Sequence, residues 1–336
     1  MFRAPVACLV LVAATTILAA CGGGSDGDTD DPPGSSVPTL ASRAAAARST
    51  AESAGNACAA IRPFYWETGD AGAALASGSV ASPSSATRYA ADTAMDIASA
   101  SKWIYGSYVV QKRAGLLTPT DVRFLTLSSG YTSFEPSACP VGGTVRECHE
   151  AGDNDRYRPT ADGKFFYEGS HMQAHAAAEG LGALADADLS AEVRRVLGSD
   201  IALANPKAWL AGGFRTTPGD YARLLRGILS GRLAIGQSLG AHAVCTNPAT
   251  CPTALFTPVP DASWSYAIGH WVESDPIVGD GAFSSAGAYG FYPWIDAGRR
   301  WYGIVARDDR SAGRAGWDSA LCGQQIRQAW QTAIAR

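Results

Sequence analysis

The chain has 336 residues, of which 46% are hydrophobic and 17% charged, and its formal net charge at pH 7 is −4. This much apolar side chain can bury a core, which excludes a disordered chain and a coiled coil. The slightly acidic balance gives no electrostatic reason to bind nucleic acid. We expect a globular protein with one large domain or two lobes.

The first twenty residues have the pattern of an export signal. One positive charge, Arg3, precedes an apolar run over 4–17 that is too short to span a bilayer. The run ends in Leu-Ala-Ala-Cys21, which resembles the lipobox of bacterial lipoproteins; the alternative is ordinary cleavage beside an incidental cysteine. We predict a signal peptide over 1–20, lipidation at Cys21 and a polar tether over 21–39. These features place the protein in the bacterial cell envelope, facing periplasm or exterior, with membrane contact through the lipid only.

The other cysteines are candidates for disulfides, because an exported protein meets an oxidising compartment. Six remain outside the signal region, an even count that predicts three bridges but permits fifteen pairings. The short spacings favour two local loops and leave one long-range pair: Cys139–Cys148, Cys245–Cys251, and then Cys58 with Cys322. The spacings do not match a zinc finger, and we expect neither a metal nor another cofactor.

The first third of the chain predicts a helix, a hairpin and a second helix. Residues 40–60 are Ala-rich and favour a helix that stops at Pro63. The stretches 64–68 and 73–80, joined by a Gly-Asp-Ala-Gly turn, predict a β-hairpin. Residues 96–115 then show a helical pattern of apolar side chains.

The rest of the chain predicts loops and helices followed by strands. Gly, Pro, Ser and Asp are frequent over 128–163, which we expect to form loops. The predicted elements that follow are helices near 171–184, 188–197 and 218–230, strands over 263–272, 288–295 and 300–306, and a last helix over 319–334. We therefore predict a single domain over 40–336, with an α/β lobe built from about 40–98 and 255–336 and a helical lobe over about 99–254.

Ser99 and Lys102 are the first candidates for chemistry. They stand three residues apart at a predicted helix start, which puts both side chains on one face. A hydroxyl needs a base to become a nucleophile, and a partly buried lysine can have its pKa lowered enough to serve. Arginine could not, because it stays charged. The helix start also offers main-chain N–H donors to an oxyanion.

Three segments around this pair carry a family resemblance. They are Thr93–Lys102, which ends in Ser-Ala-Ser-Lys, then Leu117–Tyr131, and Ala211–Tyr221 with the sequence Ala-Gly-Gly-Phe-Arg-Thr-Thr-Pro-Gly-Asp-Tyr. In this order they resemble the serine β-lactamase and penicillin-binding-protein superfamily, in particular its class C-like and esterase branch. The resemblance implies an α+β fold of the β-lactamase/transpeptidase type, with an antiparallel sheet flanked by the N- and C-terminal helices and a mostly helical second lobe. It also implies that these helices bring Cys58 close to Cys322.

The family's second motif is Tyr-x-Asn or Tyr-x-Ser, and Tyr167-Glu168-Gly169 matches it in position. The resemblance implies that the Tyr167 phenol moves the proton between nucleophile, lysine and leaving group. The alternative is an aromatic core residue at a strand end. Gly169 replaces the Asn or Ser of the motif, and Ser170 and His171 are candidates for the missing polar contact.

The third motif, Lys-Thr-Gly or His-x-Gly, corresponds to Ser285-Ala286-Gly287. The resemblance implies an oxyanion hole formed by the main-chain N–H groups of Ser99 and Ala288, and substrate contacts from Ser285, Gly287 and Tyr289. The lysine that helps relatives to hold a substrate carboxylate is absent. This favours an ester or a neutral amide over a β-lactam or a peptidoglycan peptide.

Two other motifs compete with this interpretation. Gly236-Gln237-Ser238-Leu239-Gly240 matches the nucleophile elbow of α/β-hydrolases, but an acid followed by a histidine on later strands is not evident, since only His242 and His270 follow. His171 and His175 have metal-ligand spacing but lack the Glu of H-E-x-x-H and a third ligand.

The sequence thus predicts a secreted, lipid-anchored serine hydrolase that forms an acyl-enzyme on an ester. Its expected partner is a small-molecule or oligomeric ester or amide substrate. The alternatives are an amidase, including 6-aminohexanoate-oligomer hydrolysis, and a D-alanyl carboxypeptidase or β-lactamase. From a different class comes a non-catalytic envelope-binding lipoprotein with the same fold.

Overall fold

The computed structural model of the protein describes residues 37–311 and 313–336. The predicted signal peptide, the predicted lipidation site Cys21 and most of the predicted tether lie outside these ranges. Among the described residues, every helix is too short or too polar to span a bilayer.

Eight α-helices occur in the described part of the chain, and several begin at residues suited to capping. Thr39 accepts a hydrogen bond from the Ser42 N–H at the start of α1, and Thr118 and Thr144 form capping boxes before α3 and α4. The bounds are α1 Leu40–Glu52, α2 Ser101–Lys112, α3 Pro119–Leu125, α4 Val145–Glu150, α5 Ser170–Ala178, α6 Asp186–Leu197, α7 Pro218–Leu229 and α8 Ala315–Thr332.

The strands of the described residues are short except in the N-terminal hairpin and near the C terminus. Their bounds are β1 Phe64–Gly69, β2 Ala74–Val80, β3 Met95–Asp96, β4 Ser129–Tyr131, β5 Tyr157–Asp162, β6 Phe165–Phe166, β7 Arg215–Thr216, β8 Val244–Cys245, β9 Ala254–Phe256, β10 Ser265–Tyr266, β11 Trp271–Val272, β12 Phe283–Ser284, β13 Tyr292–Ile295 and β14 Tyr302–Ala306.

Eight strands form one antiparallel sheet in the order β2-β1-β14-β13-β12-β11-β10-β8. β1 pairs with β14, with Tyr65 opposite Ala306, so strands from the two ends of the chain are neighbours. The terminal helices α1 and α8 contact each other. The predicted α+β class with an antiparallel sheet is confirmed. The sheet also takes β8 from the segment that the sequence assigned to the helical lobe.

Three disulfides connect the six cysteines of the described residues in the pairing that the sequence predicted. Cys58 bonds Cys322 with 4.6 Å between their Cα atoms, and the local bridges are Cys139–Cys148 and Cys245–Cys251. Cys58 lies in a 3-10 turn after α1, and Cys322 lies in α8. The long-range bridge therefore ties the N-terminal region to the last helix.

Helix α2 lies inside the protein. Every residue from Ser101 to Val110 is buried, including Trp103 and Tyr105. A helix that is buried on all sides is held by packing rather than by intrinsic helix propensity. Side chains at its start are therefore fixed relative to the sheet and to the other helices.

Four sequence predictions about local structure are wrong. The helix predicted over 40–60 ends at Glu52, and the strand predicted over 263–272 is two antiparallel strands, β10 and β11. The segment 128–163, expected to form loops, contains β4, α4 and β5; β4 has three residues, too few to show an alternation of apolar and polar side chains. The helix predicted over 171–184 ends at Ala178, because Gly180 adopts a φ of 88° that a right-handed helix cannot continue.

Candidate active site

Ser99 lies in a 3-10 turn that leads into α2. Ala98, just before it, has a φ of 44°, in the left-handed region that non-glycine residues seldom occupy. Two hydrogen bonds to Phe214 hold the turn. The Ile97 N–H donates to the Phe214 carbonyl at 3.1 Å, and the Phe214 N–H donates to Ser101 Oγ at 3.2 Å. The surroundings thus maintain a strained backbone that places Ser99 on the wall of a cavity.

Lys102 is buried next to Ser99, with 3% of its surface exposed. Its Nζ donates to Ser99 Oγ at 3.1 Å and to the Ala211 carbonyl at 3.0 Å. Burial lowers the pKa of Lys102 to about 8, and the Glu168 carboxylate opposes this shift. A substantial fraction of the amine is therefore neutral under mildly alkaline conditions, and its free electron pair can accept the serine proton.

Tyr167 lies on the other side of the lysine. It follows β6, and its N–H donates to the Phe256 carbonyl at 3.1 Å beside the parallel β6–β9 pair. Lys102 Nζ lies 4.8 Å from the centroid of its ring, and the Trp271 ring stacks on it at 5.1 Å. Burial raises the pKa of Tyr167 to about 12, while the nearby Ser99 and Trp271 side chains oppose the shift. The phenol is thus protonated at neutral pH and can donate.

At the third place of the second motif, Gly169 packs against aromatic side chains and offers no polar side chain. A Cβ on Gly169 would lie 3.1 Å from Trp209 Nε1 and 3.1 Å from Phe134 Cδ1. Contacts this close leave little room for the Asn or Ser of the family motif. The two aromatic rings occupy the space instead.

Ser170 and His171 do not supply the missing polar contact. Ser170 Oγ donates to the Tyr131 carbonyl at 2.8 Å. The His171 ring is buried and uses both nitrogens, with Ser129 Oγ at 2.8 Å and the Phe166 carbonyl at 3.0 Å. Burial lowers the pKa of His171 to about 3, so the ring is neutral. Both side chains therefore form hydrogen bonds inside the protein.

The third-motif segment follows β12 and lies against the 3-10 turn that contains Ser99. Ser285 Oγ donates to the Ser99 carbonyl at 3.1 Å. A Cβ on Gly287 would lie 2.1 Å from the Ile97 carbonyl oxygen, so only glycine fits there. Gly287 and Ala288 line the same cavity as Ser99, which places the two predicted oxyanion donors on one cavity.

Two of the three predicted substrate contacts do not line this cavity. Ser285 is 2% exposed, and its Oγ is bonded to the Ser99 carbonyl. The Tyr289 ring lies 4.4 Å from the Arg310 guanidinium, away from the cavity wall. Gly287 is the predicted contact residue that the structure places on the wall.

The cavity next to Ser99 has a volume of about 340 Å³ and a mostly apolar lining. At its rim, exposed Arg314 and Asp261 form an ion pair at 3.1 Å. The remaining side chains fall into an aromatic and an aliphatic group: Tyr167, Trp264, Trp271 and Trp317, with Pro258, Val259, Pro260, Ala286 and Ala320. The sequence indicated that some C-terminal rings would line a cleft but did not identify which.

The nucleophile-elbow alternative does not fit the structure. Ser238 ends a 3-10 turn, Ala234–Ser238, that no strand precedes. His270 accepts from the Gly240 N–H at 3.0 Å and bonds the Ile268 carbonyl through Nδ1, so both ring nitrogens are used. The buried ring makes no bond to Ser238, and burial lowers its pKa to about 4.

The two histidines with metal-ligand spacing do not converge on one ion. His175 bonds Tyr105 through Nδ1 and Asp121 through Nε2, whereas His171 bonds Ser129 and the Phe166 carbonyl, so the two rings share no partner. Asp121, His175 and Glu179 do place potential ligand atoms within 4.8 Å of one another. The Arg113 guanidinium, however, already pairs with both carboxylates, so a cation occupies this cluster.

Sequence reasoning missed two groups that surround the lysine. The Ala211 carbonyl, which accepts from Lys102, is a main-chain atom and carries no signal in the side-chain pattern. Glu168 occupies the variable place of the second motif. Burial raises the pKa of Glu168, while the Gly169 N–H and Lys102 oppose the shift.

Comparison with solved structures finds the same architecture in several proteins of low sequence identity. A β-lactamase candidate from Bacteroides dorei is 18% identical, with a TM-score of 0.58 over 82% of this chain and 94% of that chain. EstCE1, a hydrolase with promiscuous acyltransferase activity, is 12% identical, with a TM-score of 0.56 over 87% and 99%. An octameric penicillin-binding protein homologue from Pyrococcus abyssi is 12% identical, with a TM-score of 0.56 over 83% and 76%.

No protein-family model matches the sequence, and a search of the curated proteins finds no match. At identities this low, the likeness to solved structures establishes the fold. The chain has the fold of β-lactamases and penicillin-binding proteins.

Proposed function

We propose that the protein is a serine hydrolase that forms an acyl-enzyme on Ser99. The observation that carries the proposal is the 3.1 Å contact between Ser99 Oγ and a buried lysine Nζ at the wall of a cavity. A buried ammonium is costly unless it is paired, and no carboxylate pairs with Lys102 among the described residues. A buried lysine in contact with a serine hydroxyl supplies the adjacent base that activates a nucleophile, a role that ligand binding alone does not call for.

Acylation uses the three side chains and two main-chain donors. Neutral Lys102 accepts the Ser99 proton while Oγ bonds the carbonyl carbon, and the new oxyanion accepts from the N–H groups of Ser99 and Ala288. When the tetrahedral intermediate collapses, the bond to the leaving oxygen breaks and Tyr167 protonates that oxygen. The proton on Lys102 then returns to the Tyr167 oxygen. Water releases the acyl group by the reverse proton transfers.

An ester is the preferred substrate in this proposal. Among the described residues that line the cavity, the basic side chain is Arg314, and it already pairs with Asp261. Ser285, in the place of the family's lysine or histidine, bonds the Ser99 carbonyl. A substrate carboxylate therefore finds no unpaired cation on the described wall, which disfavours β-lactams and peptidoglycan peptides. Neutral amides form the second candidate class.

We also propose that the protein is exported and lipid-anchored through Cys21, in the cell envelope. Three disulfides support an oxidising compartment. Labelling with a radioactive fatty acid tests the anchor, and we expect Cys21→Ala to abolish it. Incorporation of label into Cys21→Ala would contradict this part of the proposal.

A fluorophosphonate probe tests the serine hydrolase assignment, because only an activated serine reacts with it. We expect the label on the peptide that contains Ser99 and no label in Ser99→Ala. Ser238→Ala is the matched control, and it should be labelled as fully as the native protein. Label on Ser238, or none on the folded native protein, would overturn the assignment.

Substrate class is tested by comparing short-chain p-nitrophenyl esters with nitrocefin and D-alanyl-D-alanine peptides. We expect a much larger kcat/KM for the esters. Efficient turnover of nitrocefin by the native protein would contradict the ester preference but not the serine mechanism.

A further inference from the structure

Aromatic rings form a continuous row from the reacting centre along the cavity. Tyr167 stacks on Trp271 at 5.1 Å, with 18° between the ring planes. Trp271 meets Trp264 at 6.1 Å, and Trp264 meets Trp317 at 5.4 Å. All four rings line the cavity, although they come from separate elements. In order along the row, Tyr167 directly follows β6, Trp271 lies in β11, Trp264 directly precedes β10, and Trp317 lies in the first turn of α8.

The inner rings of this row are fixed before a substrate arrives. Trp264 is 1% exposed and Trp271 is 2% exposed. Trp264 Nε1 donates to the Val278 carbonyl at 3.3 Å, and Tyr266 packs edge-on against Trp271 at 4.9 Å. A rigid surface loses little conformational freedom on binding, so the free energy of its contacts contributes more fully to affinity.

The cavity has room for a planar ring next to Ser99. Its volume is about 340 Å³, whereas a dry cavity of about 150 Å³ is enough to bind benzene. Pro258, Val259 and Pro260 supply an aliphatic surface in the same cavity. Edge-to-face and offset stacking between aromatic rings add to simple burial of apolar area, so this lining distinguishes an aryl group from a saturated ring of similar size.

We propose that the cavity selects esters that carry an aryl group, which binds in the row of Trp271, Trp264 and Trp317. This inference rests on the proposed ester hydrolysis and adds the chemical class of the substrate. The aryl group belongs to the acyl half or to the alcohol half of the ester. The test below has one arm for each half.

The experiment compares substrates that differ only in the saturation of one ring. Methyl phenylacetate and methyl cyclohexylacetate test the acyl half; benzyl acetate and cyclohexylmethyl acetate test the alcohol half. We expect kcat/KM to favour the aryl member of at least one pair by roughly 2- to 10-fold, the range that aromatic contacts give. Equal rates in both pairs would overturn the inference.

Variants then assign the preference to the row of rings. Trp317→Leu keeps apolar bulk but removes the ring, and we expect the aryl preference to fall towards unity. Trp317→Phe restores a ring and should retain the preference. Trp301→Leu is the matched control, because Trp301 is also partly buried but packs on Trp330 at 5.5 Å, outside the cavity. An unchanged preference in folded Trp317→Leu would contradict the assignment.

These experiments distinguish failure of the serine hydrolase assignment from failure of the aryl selectivity. If no ester is hydrolysed and the fluorophosphonate probe does not react, the serine hydrolase assignment fails. If esters are hydrolysed and Ser99 is labelled, but aryl and cycloalkyl members react equally, only the aryl selectivity fails.

Discussion

Burial of one lysine is the feature on which the proposed chemistry depends. Lys102 has a lowered pKa because the protein surrounds it, and the Glu168 carboxylate partly offsets that effect. The same carboxylate has a raised pKa because it is itself largely buried. Burial of Lys102 and the charge of Glu168 together therefore set the pH at which the Lys102 amine becomes neutral and can act as the proposed base.

Glu168→Gln should shift the pH dependence of hydrolysis. Lys102 must be neutral to accept the serine proton, so kcat/KM should rise as the pH passes through the pKa of Lys102, near 8. Removing the Glu168 charge removes stabilisation of the ammonium and lowers that pKa further. The acidic limb of the pH–kcat/KM profile should therefore move to lower pH in this variant. A limb that stays in place or moves to higher pH would show that Glu168 does not act on the base.

Substitution of the proposed base, Lys102, and the proposed acid, Tyr167, should cost activity without unfolding the protein. Lys102→Arg keeps the charge but cannot release its proton, so we expect it to be nearly as inactive as Lys102→Ala. Tyr167→Phe should also reduce kcat by roughly 10²- to 10⁴-fold, the usual effect of losing an acid–base group. Esterase assays beside circular dichroism spectra separate lost chemistry from lost folding. Native-like rates in Lys102→Arg would exclude Lys102 as the base.

At the scale of elements, the turn that contains Ser99 and the segment after β12 hold each other in position. Ser285 Oγ bonds the Ser99 carbonyl, and Gly287 lies directly against the Ile97 carbonyl. The geometry of the proposed oxyanion hole thus depends on close approach of two backbones. A side chain at the point of closest approach would separate them.

Gly287→Ala tests this close approach. Its Cβ would lie 2.1 Å from a carbonyl oxygen of the main chain, so the backbone must move, and overpacking of this kind costs about 1–3 kcal/mol. We expect a lower melting temperature and a strong loss of esterase activity. Gly55→Ala is the control, because no atom lies within 4 Å of its added Cβ. If Gly287→Ala retains native activity and stability, the two backbones are not in essential contact.

Elements with strong local patterns could be predicted from the sequence, whereas those held by distant contacts could not. The hairpin of β1 and β2 has a Gly-Asp-Ala-Gly turn and α7 begins with a threonine cap followed by proline, and the sequence located both. Strands of two or three residues, such as β4, owe their conformation to neighbouring segments and carry no periodic signal. For the site, the Ser-x-x-Lys spacing and the segments around it indicated Ser99 as the candidate nucleophile, but burial of Ser285 and the position of Tyr289 required tertiary structure.

At the scale of the whole molecule, the first and last elements of the described residues meet. β1 pairs with β14, α1 contacts α8, and the Cys58–Cys322 bridge connects residues 264 positions apart. In the chain-entropy model, a bridge restricts the unfolded chain more strongly as the loop that it closes becomes longer. The long-range bridge should therefore stabilise the fold more than a local one.

Removal of single bridges tests this order. Replacing Cys58 and Cys322 with Ser should lower the free energy of unfolding by up to about 5 kcal/mol, against about 2–3 kcal/mol for the Cys139–Cys148 pair, whose cysteines are nine residues apart. Urea unfolding of the two double variants measures both values. A larger loss from the local pair would contradict the entropic account of the long-range bridge.

The most direct test of the central claim is the mass of the protein during turnover of an ester. Samples quenched in acid in the first seconds should contain a species heavier by one acyl group, and peptide mapping should place that group on Ser99. Ser99→Ala should show no adduct under the same conditions. An acyl group on another residue, or steady ester turnover that persists in Ser99→Ala, would contradict the account.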